Sequence, residues 1–159
     1  MEVIEKKFKI LSVGKKNSNY RAYTSELVNS WIENPLNNSE NSNEGYMLEY
    51  GIDDEEDEKD IYKEFISSSL ECGIVRNLEV VDGILYADVK LKMPNYCGNI
   101  TEKIYSEEIP LENIAIVPKG KGSVKNQQVQ NDYELFGFNL ILLEDSPFEE
   151  EVELESEDA

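Results

Sequence analysis

Asp82-Gly83 sits between two arms, Gly73 to Val81 and Ile84 to Leu91, and restricts the fold of this chain more tightly than any other stretch. A two-residue Asp-Gly connection supplies both positive-φ positions of a type I′ turn, whose twist matches that of paired strands. The second arm alternates Leu85, Ala87, Val89 and Leu91 against Tyr86, Asp88 and Lys90, which sets one face for burial and the other for water. The pattern predicts an antiparallel β-hairpin over 73–91.

Other segments arrange themselves around that hairpin. Residues 3–13 alternate loosely, as an opening strand does, and end at Gly14. From Thr24 the period changes: Leu27, Val28, Trp31 and Ile32 mark one stripe of a helix, with Thr24 or Ser25 as its N-cap and Asn34-Pro35 as its stop. Residues 36–45 have no period and read as an exposed, flexible loop, followed by a short strand over 45–51. A second helix is expected where Ile61, Phe65, Ile66 and Leu70 share a face, and a short third one over Ile100 to Tyr105. Leu111 to Val117 reads as a buried strand ending at Pro118, then a turn over 119–123, then a closing strand from Tyr133 to Leu143 with a bulge at Gly137. Hairpin signals outnumber βαβ signals, so the expected class is α+β: a mostly antiparallel, barrel-like sheet with two or three short helices and an acidic C-terminal tail.

The 159 residues suit one domain. The net charge of −19 is unevenly placed: residues 53–60 hold seven acids and one lysine, and residues 144–159 hold nine acids and no base, so one loop and one tail together contribute −15 of the net −19. The expected division is a domain over 1–143, carrying the acidic loop 53–60, and a tail over 144–159. Such a charge repels phosphate backbones and anionic lipid, which argues against nucleic acid binding through a basic groove and against a membrane surface. The longest apolar run, Leu140 to Leu143, is far short of the ~20 residues that span a bilayer. Cys72 and Cys97 show no CxxC spacing, and no apolar leader follows Met1, so a reducing, intracellular setting without secretion is expected. The cysteines read as small core hydrophobes, with a disulfide as the minority alternative.

The chain contains no histidine. That removes the commonest general base, the commonest metal ligand and the usual activator of a serine or cysteine nucleophile. Gly120-Lys-Gly-Ser123 lacks the spacing of a phosphate-binding loop, and the unbroken acids of 53–60 lack the alternation and central glycine of a calcium loop. No catalytic group, cofactor or metal is therefore expected. The tail has two readings. It is a solubilising appendage, or it is a docking segment in which Phe148, Val152 and Leu154 are apolar anchors and Glu149, Glu150 and Glu151 set the approach to a basic groove on a neighbouring subunit.

The order of motifs resembles the prohead core protease family of tailed bacteriophages, which is related in fold to the herpesvirus capsid-maturation protease. The resemblance spans residues of about 8 to 143. It runs through Lys9 to Val13, then Asn19-Tyr-Arg-Ala-Tyr-Thr24 against the family's Asn-Gly-Arg-x-Tyr-Pro, in which Asn19, Arg21 and Tyr23 match. Leu48-Glu-Tyr-Gly-Ile52 is similar to a Gly-Glu-Leu-x-His stretch, and Ile116-Val-Pro-Lys-Gly-Lys-Gly-Ser123 to Val-Ser-Ser-Arg-Gly-x-Gly-Ser, in which Gly120 and Gly122 match. Asp132 to Leu140 looks like the family's last strand. On this alignment Ile52 takes the place of the catalytic histidine, and Val117 and Pro118 take the places of the paired serines. The resemblance then implies a catalytically silent relative: a virion or head-assembly protein, auxiliary capsid or scaffold-like, assembled in the host cytoplasm and bound to the major capsid protein or another subunit with a basic surface. The alternative is an acidic, DNA-mimicking anti-defence protein that occupies a host nuclease or regulator. A third reading keeps enzyme activity through a Ser/Lys or carboxylate mechanism, for which the spacing offers no support.

Overall fold

The computed structural model describes residues 3–50, 71–92 and 98–152. The acidic loop 53–60, the helix expected over 61–70, Ile52, Cys97 and Leu154 lie outside the described residues.

Nine strands and two α-helices are described: β1 (Glu5–Ser12), β2 (Ala22–Tyr23), α1 (Ser25–Glu33), β3 (Tyr46–Tyr50), β4 (Glu71–Val81), β5 (Ile84–Leu91), α2 (Gly98–Tyr105), β6 (Ile114–Lys121), β7 (Val124–Lys125), β8 (Gln128–Val129) and β9 (Glu134–Leu142). Six strands form one sheet in the order β1-β5-β4-β3-β9-β6, and β2-β8-β7 form a small second one. The large sheet curls into a half-barrel, which brings its two end strands, β1 and β6, against each other without pairing. The expected α+β class holds, and the sheet is mixed. β3 runs parallel to β9, with Leu48, Glu49 and Tyr50 opposite Phe138, Asn139 and Leu140, while the other pairings of this sheet are antiparallel. Strands so distant along the chain are brought together by the burial of both, for which local turn signals carry no information.

The hairpin forms as its turn dictates. Asp82 and Gly83 adopt φ of 52° and 77°, and Leu85, Ala87, Val89 and Leu91 of β5 are all buried. Halfway along β4 the register slips between Arg76 and Glu79, at a left-handed Asn77, so Leu78 leaves the ladder. Asn37 takes over both of its backbone groups: Leu78 N–H donates to Asn37 Oδ1 at 2.6 Å, and Asn37 Nδ2 donates to the Leu78 carbonyl at 3.3 Å and to that of Ile32 at 3.0 Å. Arg76 donates to the carbonyls of Ser39, Asn41 and Glu44. The connection over 36–45, expected as an exposed and flexible loop, is therefore tied down, because a buried bulge leaves polar groups that some side chain must satisfy.

Helix α1 begins where its cap predicts, with Thr24 Oγ1 accepting from Leu27 N–H at 3.2 Å, and it buries Leu27, Val28 and Trp31. β6 departs from expectation in two ways. Residues 111–113 make a 3-10 turn rather than the start of a strand, and the strand continues through Pro118 to Lys121. β6 is an edge of the sheet, where a missing N–H is tolerated. The Lys119–Ser123 turn is replaced by the last residues of β6 and a later hairpin, β7–β8, whose Asn126 and Gln127 both have positive φ. The bulge expected at Gly137 is present: Lys119 faces Gly137 and Gly120 faces Leu135, leaving Phe136 unpaired.

Candidate functional site

Two places gather the residues singled out in the sequence. One is a row across β3, β9 and β6. Glu49, Asn139 and Val117 are direct neighbours in register, so their side chains leave the same face of the sheet. Lys119, two residues beyond Val117, reaches along that face to Glu49, with Nζ 2.9 Å from Oε2. Val117 is buried and presents only methyl groups. Pro118 lies opposite Phe138 and contributes to the inner face. Ser123 is off this row: its N–H and hydroxyl both donate to Asp132 Oδ1, at 3.0 and 2.9 Å, and its carbonyl accepts from Gln130 N–H at 2.9 Å. These bonds close the base of the β7–β8 excursion. The backbone N–H and then the hydroxyl of Ser123 hold the Asp132 carboxyl below its ordinary pKa, which makes it a weaker base.

The glycines of this stretch serve packing. A Cβ on Gly122 would stand 2.5 Å from Tyr133 Cα, and one on Gly120 would overlap the carbonyl of Glu134 and the Tyr133 ring. Their absence of a side chain lets β6 run against Tyr133. That ring belongs to an aromatic group centred on Tyr23, whose ring centroid lies 5.7 Å from that of Trp31 and 5.8 Å from those of Tyr133 and Phe148. Burial pushes the Tyr133 hydroxyl pKa upward. Tyr23 thus packs at the start of α1. Asn19 and Arg21 lie in a turn organised by a residue the sequence reading passed over, Asn17. Its buried Oδ1 accepts from Asn19 N–H at 2.9 Å and Arg21 N–H at 3.2 Å, which fixes the backbone leading into Tyr23.

The second place is where the chain continues past β9. The expected domain boundary after Leu143 shows no break in packing: residues 143–152 return across the molecule as a strap. Pro147 accepts from Ser18 N–H at 2.9 Å, Phe148 enters the aromatic group with 9% exposure, and Lys16 and Val152 exchange backbone hydrogen bonds of 2.8 and 2.9 Å. Glu151 accepts from Ser12 N–H at 2.7 Å through Oε2, and its Oε1 lies 3.4 Å from Lys9 Nζ. Glu149 and Glu150 are exposed, as is the Val152 side chain. One basic side chain of the chain itself, Lys9, thus faces one acid of the strap, Glu151. The signal was present in the sequence: six of the fifteen basic residues, Lys6, Lys7, Lys9, Lys15, Lys16 and Arg21, fall within the first 21 positions. Total charge concealed that segregation.

Among the described residues no three carboxylate or thiol side chains converge as a metal site would, and no helix is long and apolar enough to cross a membrane.

No family model matches the chain, and no curated protein matches it. Among solved structures it is similar to the capsid assembly protease gp21 of bacteriophage T4, with a TM-score of 0.61 and 12% identity over 88% of this chain and 90% of that one. The likeness is one of fold, and it agrees with the architecture that the sequence motifs implied.

Proposed function

We propose that this chain is a component of bacteriophage head assembly that acts by binding other head proteins and cuts no peptide bond. The observation that carries the reading is the occupancy of the β6 row. The positions that the motif resemblance matches to the paired serines hold Val117 and Pro118, the fold is similar to that of a capsid assembly protease, and the chain has no histidine. An alkyl side chain has no lone pair to attack a carbonyl, and proline has neither a hydroxyl nor an N–H. Ser123, the nearest hydroxyl along the chain, donates to a carboxylate that its own donors make less basic. A fold shared with a protease does not itself carry protease chemistry.

The remaining assets suit binding. A net charge of −19 favours approach to a subunit with a basic surface, such as the major capsid protein, and steers the encounter while apolar contacts set affinity. The expected setting is the virion, assembled in the host cytoplasm. Incubating the protein with the capsid and scaffold proteins of the same phage tests the reading: it predicts that they bind and stay intact. Cleavage that disappears in a Ser123→Ala variant would overturn it.

A further inference from the structure

We propose that the seat of Pro147–Val152 is an exchangeable peptide site, which the same segment of a second copy of this chain occupies, so that copies link by trading straps. Every element of the seat addresses a short linear sequence. The Lys16 backbone offers an N–H and a carbonyl as a strand edge would, Ser18 N–H takes the Pro147 carbonyl, the Tyr23 ring packs on Phe148 and is held in turn by Tyr133, and Ser12 N–H with Lys9 takes the Glu151 carboxylate. Strand-edge pairing plus one aromatic anchor and one charged anchor is a recognised mode of peptide capture. Four residues within a span of six, Pro147, Phe148, Glu151 and Val152, make all of these contacts.

The occupant follows from the sequence. The one segment known to satisfy the seat is Pro-Phe-Glu-Glu-Glu-Val itself, and every copy carries it. A strap arriving from a second copy makes the same hydrogen bonds and the same ion pair as the resident one, so exchange conserves the contacts and is governed by concentration. The resident strap has an effective concentration on the order of millimolar for a short tether. Exchange is therefore slight in dilute solution and favoured where copies are crowded together. The connection that must reopen is the turn over 143–145 and Ser146, in which Glu144 and Asp145 are exposed. The proposal is independent of the head-assembly reading, since it concerns only copies of this chain.

Shortening that connection tests it. Deleting Glu144 and Asp145 from the full chain denies the strap its own seat, and light scattering coupled to size exclusion should then find a dimer or a larger closed assembly, above the 18.2 kDa of one chain. Adding Phe148→Ser should return the shortened chain to monomers. A shortened chain that stays a folded monomer, or an assembly indifferent to Phe148→Ser, overturns the proposal. If the shortened chain aggregates, a labelled peptide of residues 146–153 decides: it should bind a full-length Glu151→Gln/Val152→Pro variant, whose own strap is weakened, at least fivefold more tightly than the wild type. Equal binding, or none to a variant that melts cooperatively, overturns the proposal.

Discussion

Lys16 and Val152 exchange reciprocal backbone hydrogen bonds, Lys16 N–H to the Val152 carbonyl at 2.8 Å and Val152 N–H to the Lys16 carbonyl at 2.9 Å. Residues 136 positions apart in an acidic chain thus form a two-residue antiparallel bridge between its basic beginning and its acidic end. The strap this bridge secures is part of the folded domain, which has consequences for stability.

Truncation after Leu143 removes Phe148 from the aromatic group and Glu151 from Ser12, so the shortened chain should be markedly less stable, against the sequence expectation that the closing strand completes the fold. Phe148→Ala alone should cost about 3 kcal/mol, at the low end for a buried aromatic because Phe148 is among the less deeply buried residues of the core. In a chain of this size that lowers the melting temperature by roughly 10 °C. Thermal melts of both variants check it, and wild-type melting temperatures would contradict it.

Glu151 separates charge from hydrogen bonding. Glu151→Gln keeps an oxygen for Ser12 N–H and loses only the pairing with the half-exposed Lys9, so it should change stability by less than ~1 kcal/mol. Glu151→Ala strands the Ser12 N–H and should cost ~1–3 kcal/mol. Urea denaturation of the pair distinguishes the roles, and equal losses would assign the contribution to the ion pair.

Asn37 should be among the most sensitive polar positions. Asn37→Ala leaves both backbone groups of Leu78 without their partner at a buried bulge, at a cost of about 2–3 kcal/mol, and Asn37→Asp should recover part by keeping the acceptor for Leu78 N–H. Chemical denaturation with amide exchange at Leu78 reads both effects.

These residues also mark what the sequence could disclose. Asp82-Gly83, the Thr24 cap and the alternation of β5 are local signals, fixed by backbone sterics within a few residues, and each was legible. The bonds of Asn37 and Glu151 were not, because a buried polar side chain is specified by the distant backbone group it satisfies, and neither Leu78 nor Ser12 announces that need. The parallel pairing of β3 with β9 is non-local in the same sense. Asn17 accepts from the N–H groups of Asn19 and Arg21, a local Asx-type turn that the sequence could have disclosed. The two readings of the tail, appendage or docking segment, stay open in the sequence because the groups that Glu151 meets, Lys9 and the Ser12 N–H, lie at the opposite end of the chain.

Asp132 supplies a pH test. Its folded pKa lies below the ordinary 3.8, through the Ser123 N–H and then the Ser123 hydroxyl, so the stability it contributes is present above that ordinary value and is lost as the pH falls through the depressed one. Carboxyl carbon NMR should find a midpoint below 3.8 in the wild type. In Ser123→Ala the midpoint should rise part of the way, since the larger donor, the backbone N–H, remains. An unchanged midpoint would show that the hydroxyl has no part in it.

A head-assembly role exercised by binding is decided by mass spectrometry of purified proheads and mature heads. This chain should be present in the particles at a fixed ratio to the major capsid protein, and a particle lacking it should have the same processed termini on its other proteins. Absence from both particles would contradict the role in assembly, and processing that is lost when the chain is removed would contradict the claim that it acts without cutting.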